Sequence, residues 1–349
     1  MKFRAGKIDV GVVAGLCIGL AVIIGFAAFV LLDTTARRGS GLGDEYVYDI
    51  SELGKVDENL ILYEEVGIAL ETGFKISRAI TVDRESNLYA AGDESVRVFK
   101  LQNGRHVFER EINLDDSPHC IKLADEKIYL GMKDHVRVYD RAGQRLSIWD
   151  TLGNKAALTS IDVYKNDVFV ADAGNRIIVR YDKQGQIKNY IGKKEPERNI
   201  PGFVIPSHNF DLAVAADGLL RVVNPGRHRI EAYTFDGDLE FFWGRASMSI
   251  EGFCGCCNPA NFAIDPDGSF ITSEKGLVRV KIYNSEGEFI GVVASPEQLF
   301  RGGAKYAGQV VTESQAPGFD VAVDNKGKIY ILDTIKNIIR IFKKKYSSQ

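Results

Sequence analysis

The most reactive side chains in the sequence are three cysteines that fall within four residues of one another. They are Cys254, Cys256 and Cys257, in the run EGFCGCCNPA at positions 251–260. Thiolates bind zinc, copper(I) or an iron–sulfur cluster, and they also form or exchange disulfides. Cys254 and Cys257 have the spacing of a CxxC motif. The sequence alone leaves all of these uses open.

A metal site would need a further ligand from elsewhere in the chain. Three thiolates are one ligand short of a closed tetrahedral site. Each of three other side chains lies near the predicted start of an inner strand of the fold derived below. The candidate ligands of a thiolate-bound metal ion or iron–sulfur cluster are therefore Cys254, Cys256, Cys257, Cys120, His119 and His208.

Disulfide bonds and thiol exchange are the other two uses of these cysteines. Four of the five cysteines lie outside the apolar N-terminal segment, and four cysteines allow three connectivities. An oxidising compartment favours disulfides, either between Cys254 and Cys257 or between Cys256 and Cys120. In a redox-active site, neighbouring cations would instead activate the CxxC thiolate.

Composition limits the classes of partner and fold. The chain has 349 residues and a formal net charge of −3, which is too small to indicate a nucleic acid as partner. Five cysteines are few for a fold held together by disulfides. The 35 glycines, against 9 prolines, suit a fold with many tight turns.

The N-terminal region predicts a membrane anchor. Residues 10–32 carry no charge over 23 positions, enough for a helix to cross a hydrocarbon core of about 30 Å. Lys2, Arg4 and Lys7 precede them, and this excess of positive charge favours a cytoplasmic N-terminus. The predicted organisation is a cytoplasmic N-terminus over 1–9, a single transmembrane helix over 10–32, a juxtamembrane connector over 33–59 and an extracytoplasmic domain, periplasmic or extracellular, over 60–349.

The remainder of the chain repeats one β-sheet module six times. Each unit has a short apolar strand that ends in or near Asp, a turn such as Asp267-Gly268, and a strand of β-branched and aromatic residues. A third strand then ends on an aromatic residue, namely Phe99, Tyr139, Tyr181, Tyr233, Tyr283 or Phe342. Modules of four strands at a spacing of about 40 to 60 residues predict an all-β, six-bladed β-propeller.

The two ends of this domain predict how the ring closes. Only KKKYSSQ follows Phe342, so the sixth module lacks an outer strand of its own. The strand-like run LILYEE at 60–65 precedes the first module. Because an unpaired sheet edge invites aggregation, we expect residues 60–65 to supply the missing outer strand.

Two segments of the repeat resemble a known family. ADAGNRIIVRYDKQG at 171–185 resembles the core of an NHL repeat, with its Asp-x-Gly-Asn-Arg-Ile run, and ANFAIDPDGSFIT at 260–272 is similar to that family's opening strand and turn. The resemblance implies a rigid disc used for protein binding, RNA binding, extracellular sensing or, in some members, lyase and hydrolase chemistry. A fold used in so many ways does not by itself specify a function.

One face of the predicted disc concentrates the unusual residues. Chain entry into the inner strands and the loops between second and third strands lie on the same face, and so do the long connections 186–209, 240–258 and 290–317. Functional residues concentrate in long loops carried by a rigid scaffold. The candidate binding residues on this face are Cys254, Cys256, Cys257, Arg176, Arg227 and His228.

Acidic residues are predicted at the central channel. Asp211 and Asp320 occupy the repeat position of Asn261, and Asp162 lies two residues further along its strand. Carboxylates placed in this way bind a cation such as calcium or accept hydrogen bonds from neighbouring blades. The regular recurrence of these residues favours the second use.

These features predict a membrane-anchored binding scaffold whose partner is another membrane or extracytoplasmic protein. A non-enzymatic role is favoured, since only His119 and His208 are placed to hold a catalytic metal and no Gly-x-Ser-x-Gly nucleophile motif occurs. The alternative is a metal-binding or redox accessory protein, such as an electron-transfer subunit, that uses the Cys254–Cys257 segment.

Overall fold

A computed structural model describes residues 10–31, 54–299, 304–306, 309–311 and 318–345. The chain divides into two units, Met1–Ile50 and Ser51–Gln349. The predicted cytoplasmic N-terminus over 1–9 and positions 33–53 of the predicted connector lie outside the described residues.

In the first unit the structure describes residues 10–31, which form helix α1 (Val10–Leu31) within the predicted transmembrane segment. Side chains of α1 are described only at Gly11 and over 15–25. Among the described residues, none of the helices has the length and apolar character that crossing a membrane requires. The membrane anchor therefore stays a prediction.

The second unit is a six-bladed β-propeller, as the repeats predict. Two short strands come first, β1 (Tyr63–Glu65) and β2 (Leu70–Glu71). Blade one contains β3 (Ser77–Val82), β4 (Leu88–Gly92), β5 (Ser95–Gln102) and β6 (Arg105–Asn113). Blade two contains β7 (Cys120–Ala124), β8 (Lys127–Gly131), β9 (Val136–Asp140) and β10 (Arg145–Ile148). Blade three contains β11 (Leu158–Tyr164), β12 (Asp167–Asp172), β13 (Ile177–Asp182) and β14 (Ile187–Ile191).

The remaining blades have the same antiparallel order. Blade four contains β15 (Leu212–Val214), β16 (Leu220–Asn224), β17 (Arg229–Tyr233) and β18 (Leu239–Trp243). Blade five contains β19 (Asn261–Ile264), β20 (Phe270–Ser273), β21 (Val280–Tyr283) and β22 (Phe289–Ala294). A short helix, α2 (Pro296–Leu299), and a hairpin, β23 (Ala304–Tyr306) with β24 (Gln309–Val311), come next. Blade six contains β25 (Asp320–Val323), β26 (Ile329–Asp333) and β27 (Ile338–Lys344).

The ring closes through the N-terminal strand of the propeller, which confirms the prediction. Strand β1 pairs antiparallel with β27, with Glu64 opposite Lys343, and β2 pairs with the other end of β27. Arg340 of β27 also donates to both carboxylate oxygens of Glu65, at 2.8 and 2.5 Å. The strand is shorter than predicted, because Leu60 ends a 3-10 turn.

The predicted aromatic residues at the ends of the third strands are all buried in the core between sheets. Two tryptophans join neighbouring blades: Trp149 lies 4.9 Å from Tyr181, and Trp243 lies 4.9 Å from Tyr283, measured between ring centroids. Gly287 has a φ of +83° and passes so close to Trp243 that a Cβ would lie 2.3 Å from the ring. Glycine is therefore required there for both its conformation and its size.

Candidate functional site

The three clustered cysteines lie in the connection from blade four to blade five. We call residues 250–258 the cysteine loop. Its apolar anchor is Phe253, which is fully buried and packs against the rings of Trp243 and Tyr283, at centroid distances of 6.1 and 5.6 Å. This anchor holds the loop against the wall between two blades, although the loop has no strand or helix of its own.

A group of buried ionised side chains lies directly beneath the loop. Glu274, Arg279 and Lys281, the charge cluster, have side chains that are 0–1 % exposed. One oxygen of Glu274, Oε1, lies 2.9 Å from Arg279 Nε and 2.6 Å from Lys281 Nζ. Buried charges persist only when they are paired and hydrogen-bonded, so the three side chains depend on one another.

The charge cluster binds the backbone of the cysteine loop. Lys281 Nζ donates to the carbonyl oxygens of Ile250 and Gly252, at 3.0 and 2.6 Å. The hydroxyl of Tyr283 donates to the carbonyl of Glu251 at 3.0 Å. Three consecutive carbonyls of an irregular segment are thus satisfied by side chains of β21.

The far end of the loop is held by one asparagine. Asn258 Nδ2 donates to the carbonyls of Cys254 and Lys275, at 2.7 and 3.0 Å, and its Oδ1 accepts from the backbone N–H of Lys275 at 2.8 Å. Asn258 is itself buried. The loop is consequently fixed at its start to β21 and at its end to the segment that follows β20.

Burial and neighbouring charges shift the pKa values of the ionisable side chains at the loop. Burial lowers the pKa of Lys281 to about 8, against the raising effect of Glu274. Burial on its own would raise the pKa of Glu274, but the charges of Lys281 and Arg279 hold it below its ordinary value. The pKa of the Cys254 thiol is raised, by burial first and by the carboxylate of Glu274 second. Cys254 is therefore an unreactive thiol within the charge cluster.

The other two cysteines face each other instead. The Sγ atoms of Cys256 and Cys257 lie 3.0 Å apart, and Cys256 is exposed. Burial raises the pKa of Cys257, but its hydrogen bonds to Cys256 and Ser207 and the charge of Lys275 bring it below its ordinary value. The pKa of Cys256 is raised, first by its hydrogen bond to Cys257. Cys257 is thus the more acidic thiol of the pair.

This arrangement corrects the predicted disulfides. All five cysteines are free thiols, so neither Cys254–Cys257 nor Cys256–Cys120 is bonded. The Cys254 sulfur instead lies 3.6 Å from Glu274 Oε2. The side chain of Cys254 is directed by a contact twenty residues away, which a CxxC spacing does not reveal.

Of the basic residues predicted for this face, some lie at the cysteine loop and one lies away from it. His228 Nε2 donates to the carbonyl of Gly255 at 2.5 Å, so that blade four contacts the cysteine loop, and Arg227 beside it is exposed. Lys275 Nζ lies 3.4 Å from Ser207 Oγ. Arg176 is exposed in the corresponding turn of blade three, and no contact in the described part of the chain joins it to the cysteine loop.

The six predicted metal ligands are not brought together. Cys120 is buried in β7, and both it and His119 line the central channel, whereas His208 is exposed in the connection before β15. Burial raises the pKa of Cys120 and lowers that of His119. Over the residues with described side chains, no three His, Cys, Asp or Glu side chains are grouped to hold a metal ion. The cysteine loop stays beside blade five and does not extend to Cys120.

The central channel is a cavity of about 270 Å³ lined by the six inner strands. Its carboxylates link adjacent blades, as the repeat pattern favours. Asp162 accepts from the N–H of Val214, and Asp211 from that of Phe262, at 2.7 and 2.8 Å. Asp320 accepts from the N–H of Ile80 at 2.7 Å and so joins blade six to blade one.

From the raised pKa values of two of these carboxyl groups we predict that the free energy of unfolding falls as pH rises. Burial raises the pKa of Asp211 to about 6 and that of Asp320 to about 7. The folded chain then keeps protons that the unfolded chain releases above pH of about 4. We expect the free energy of unfolding to decrease by roughly 3–6 kcal/mol between pH 4 and 7 as Asp211 and Asp320 lose these protons. Urea titrations across that range measure it, and Asp320→Asn should flatten the slope; an unchanged slope would exclude Asp320 as a cause.

Sequence reasoning missed the charge cluster and Asn258. The available signal was the run VRVKIY at 278–283, in which Arg279 and Lys281 alternate with apolar residues of a strand. Alternate positions share one face of a strand. In a propeller each sheet is covered by a neighbouring sheet on both faces, so two cations on one face of a strand require a buried anion. Glu274, five residues before Arg279, and Glu286, five residues after Lys281, were the nearest acids along the chain.

Comparison with known proteins identifies the fold and no family. No model of a protein family matches the chain, and no curated relative matches it, so the NHL resemblance stays a prediction. Solved structures do match. A streptogramin B lyase matches with a TM-score of 0.55 and 10 % identity, over 81 % of this chain and 98 % of that one. Virginiamycin B lyase from Staphylococcus aureus matches with a TM-score of 0.53 and 12 % identity, over 80 % and 99 %.

A third match is a protein of unknown function from Bacteroides thetaiotaomicron, with a TM-score of 0.53 and 15 % identity over 80 % of this chain and 72 % of that one. At such identities the similarity shows the propeller fold alone.

Proposed function

We propose that this protein is a membrane-anchored, non-enzymatic scaffold that binds a partner protein on one face of its propeller. We call this surface the cysteine face and define it by residues 203–208, 225–228, 250–258 and 275–278. The anchor in this proposal rests on the uncharged segment 10–32, most of which is helix α1. The extracytoplasmic position rests on the positive charges that precede that segment.

The observation that carries the proposal is the rigid construction of the cysteine loop. A surface connection in a propeller does not need three fully buried charges, and burying them costs desolvation energy. Here Lys281 and Arg279 donate to backbone carbonyls of the loop, and Glu274 pairs with both cations. A loop fixed in advance loses little conformational entropy on binding. This is the behaviour expected of a docking surface.

The charge of the face indicates the partner. Arg227 is exposed, Lys275 is partly exposed, and His228 lies between them against Gly255. Exposed Val204 and Pro206 give apolar contact area beside these cations. A partner protein with an acidic patch complements this surface, because opposite charges steer encounter and fix orientation. The lyase activity named for two structural neighbours is not proposed, since their similarity reaches the fold only.

Site-specific cross-linking tests the proposal. We expect a photo-reactive benzoylphenylalanine at Arg227, in the full chain in its native membrane, to form one major protein adduct. The same probe at Lys326 is the matched control, because Lys326 is exposed in the turn between β25 and β26, at the opposite end of the strands. Adduct formation should fall about tenfold when Lys275→Glu reverses one charge. Equal adducts from both faces, or none at Arg227, would contradict the proposal.

A further inference from the structure

We propose that Cys256 and Cys257 are a vicinal dithiol that converts reversibly to a disulfide between adjacent residues, by exchange with a disulfide on a small thiol compound or a protein. The proposal assigns the reactive pair to Cys256 and Cys257 and leaves Cys254 structural. It goes beyond partner binding on the cysteine face and does not depend on it.

The first support is the distance between the two sulfurs. Their separation of 3.0 Å must shorten by about 1 Å to reach a disulfide bond length. Gly255, which precedes the pair, has a φ of +76°, and the carbonyl of that glycine accepts the hydrogen bond from His228. The backbone on the N-terminal side of the pair is therefore held, and Asn258 holds the C-terminal side.

The second support is the difference in exposure of the two thiols. Cys256 is exposed, whereas Cys257 is only 2 % exposed. An external disulfide therefore reaches Cys256 first, and Cys257 is protected from forming an adduct of its own. This is the division into attacking and resolving thiol that dithiol exchange requires.

The third support is the cation beside the buried thiol. Lys275 and Ser207 both contact Cys257 and lower the pKa of its thiol. A neighbouring ammonium group increases the thiolate fraction and so the rate of exchange. Cys254 differs, since its sulfur lies 3.6 Å from a carboxylate oxygen of Glu274 as well as 3.8 Å from Arg279 Nη2, and burial and the carboxylate raise its pKa despite that cation.

The exchange has two steps and starts with Cys257 as the thiolate and Cys256 as the thiol. The Cys256 sulfur attacks a disulfide R–S–S–R′ while the Cys257 thiolate takes up its proton, and R′S⁻ leaves and receives that proton from Cys257. The Cys257 thiolate then attacks the Cys256 sulfur of the mixed disulfide and expels RS⁻. The external disulfide gains two electrons and becomes one thiol, R′SH, and one thiolate, RS⁻, which takes a proton from water. The protein loses two electrons and gains the Cys256–Cys257 bond. A strained, exposed disulfide of this kind is readily reduced again by thiols.

Oxidised glutathione is a direct probe of this step. The purified full chain in detergent is reduced, desalted without oxygen, and mixed with oxidised glutathione. We expect two molecules of reduced glutathione to be released for each reactive pair. After free thiols are alkylated, tandem mass spectrometry of the peptide that holds all three cysteines should find Cys254 alkylated and Cys256 joined to Cys257, without a glutathione adduct. A stable adduct on Cys256, or a bond from Cys254, would overturn the proposal, and this mapping needs no variant.

Variants separate the two thiols. Cys257→Ser should stop at a mixed disulfide of glutathione with Cys256, and Cys257→Ala should do the same if the serine variant does not fold. Cys254→Ser is the matched control within the loop and should still form the 256–257 disulfide. Lys275→Met should slow the reaction by about threefold, because it removes the cation that increases the thiolate fraction of Cys257. Complete closure of the disulfide in a chain that lacks Cys257 would refute the assignment.

Discussion

Replacing Glu274 with alanine is expected to lower the free energy of unfolding by about 3–5 kcal/mol. The substitution leaves Arg279 and Lys281 buried at 0–1 % exposure without their anion. Those two cations also hold the carbonyl of Gly252, so the loss should extend to the cysteine loop. Urea unfolding followed by tryptophan fluorescence measures the effect, because Trp243 packs against the loop anchor Phe253.

A surface ion pair on another blade is the matched control. Glu111 accepts from Arg97 at 3.0 Å, but both side chains are a quarter to a third exposed. Glu111→Ala should cost about 0–1 kcal/mol, since exposed pairs contribute little. In Glu274→Ala we also expect Cys254 to react faster with a thiol reagent, because its cover is lost. Equal costs for the two substitutions would show that the charge cluster is not a buried network.

Replacing Tyr63 with alanine should open the propeller at the junction of blades five and six. Tyr63 is 2 % exposed and packs in a core cluster with residues of both blades, and β1 covers the edge of β27. Truncation of a buried aromatic residue costs about 3–5 kcal/mol. The freed edge of β27 is then available to pair with another chain. We expect a lower midpoint of urea unfolding and increased light scattering on mild heating.

Tyr63→Phe is the control that distinguishes the stability contributed by packing of the ring from that contributed by the hydroxyl group. The phenylalanine keeps the ring and the pairing of β1, so we expect nearly the stability of the parent chain and no aggregation. If Tyr63→Ala remained as stable as Tyr63→Phe, the N-terminal strand would not be what closes the ring.

The charge cluster and the ring closure differ in what they contribute. Closure stabilises the fold itself, since β1 supplies the outer strand that blade six would otherwise lack. The charge cluster stabilises a particular surface, because Lys281 and Tyr283 hold three consecutive loop carbonyls. Loss of the first should affect all blades, whereas loss of the second should be centred on blades four and five.

The architecture of the second unit was predictable from the sequence. Strand alternation, turn glycines and the aromatic residue at the end of each third strand are local signals, and six copies of a weak signal reinforce one another. Closure by residues 60–65 followed from counting strands. The links from Asp211 and Asp320 to neighbouring blades followed from their equivalent positions in the repeat.

The chemistry of the cysteines was decided by the tertiary structure alone. The spacing in CGCC permits several pairings, and the choice among them depends on side-chain directions. Glu274 draws Cys254 into the charge cluster, and Lys275 and Ser207 lie beside Cys257. These contacts come from segments about 20 to 50 residues away in the chain, so no local pattern encodes them. Only the packing of blade four against blade five brings those groups to the loop and leaves Cys256 and Cys257 facing each other.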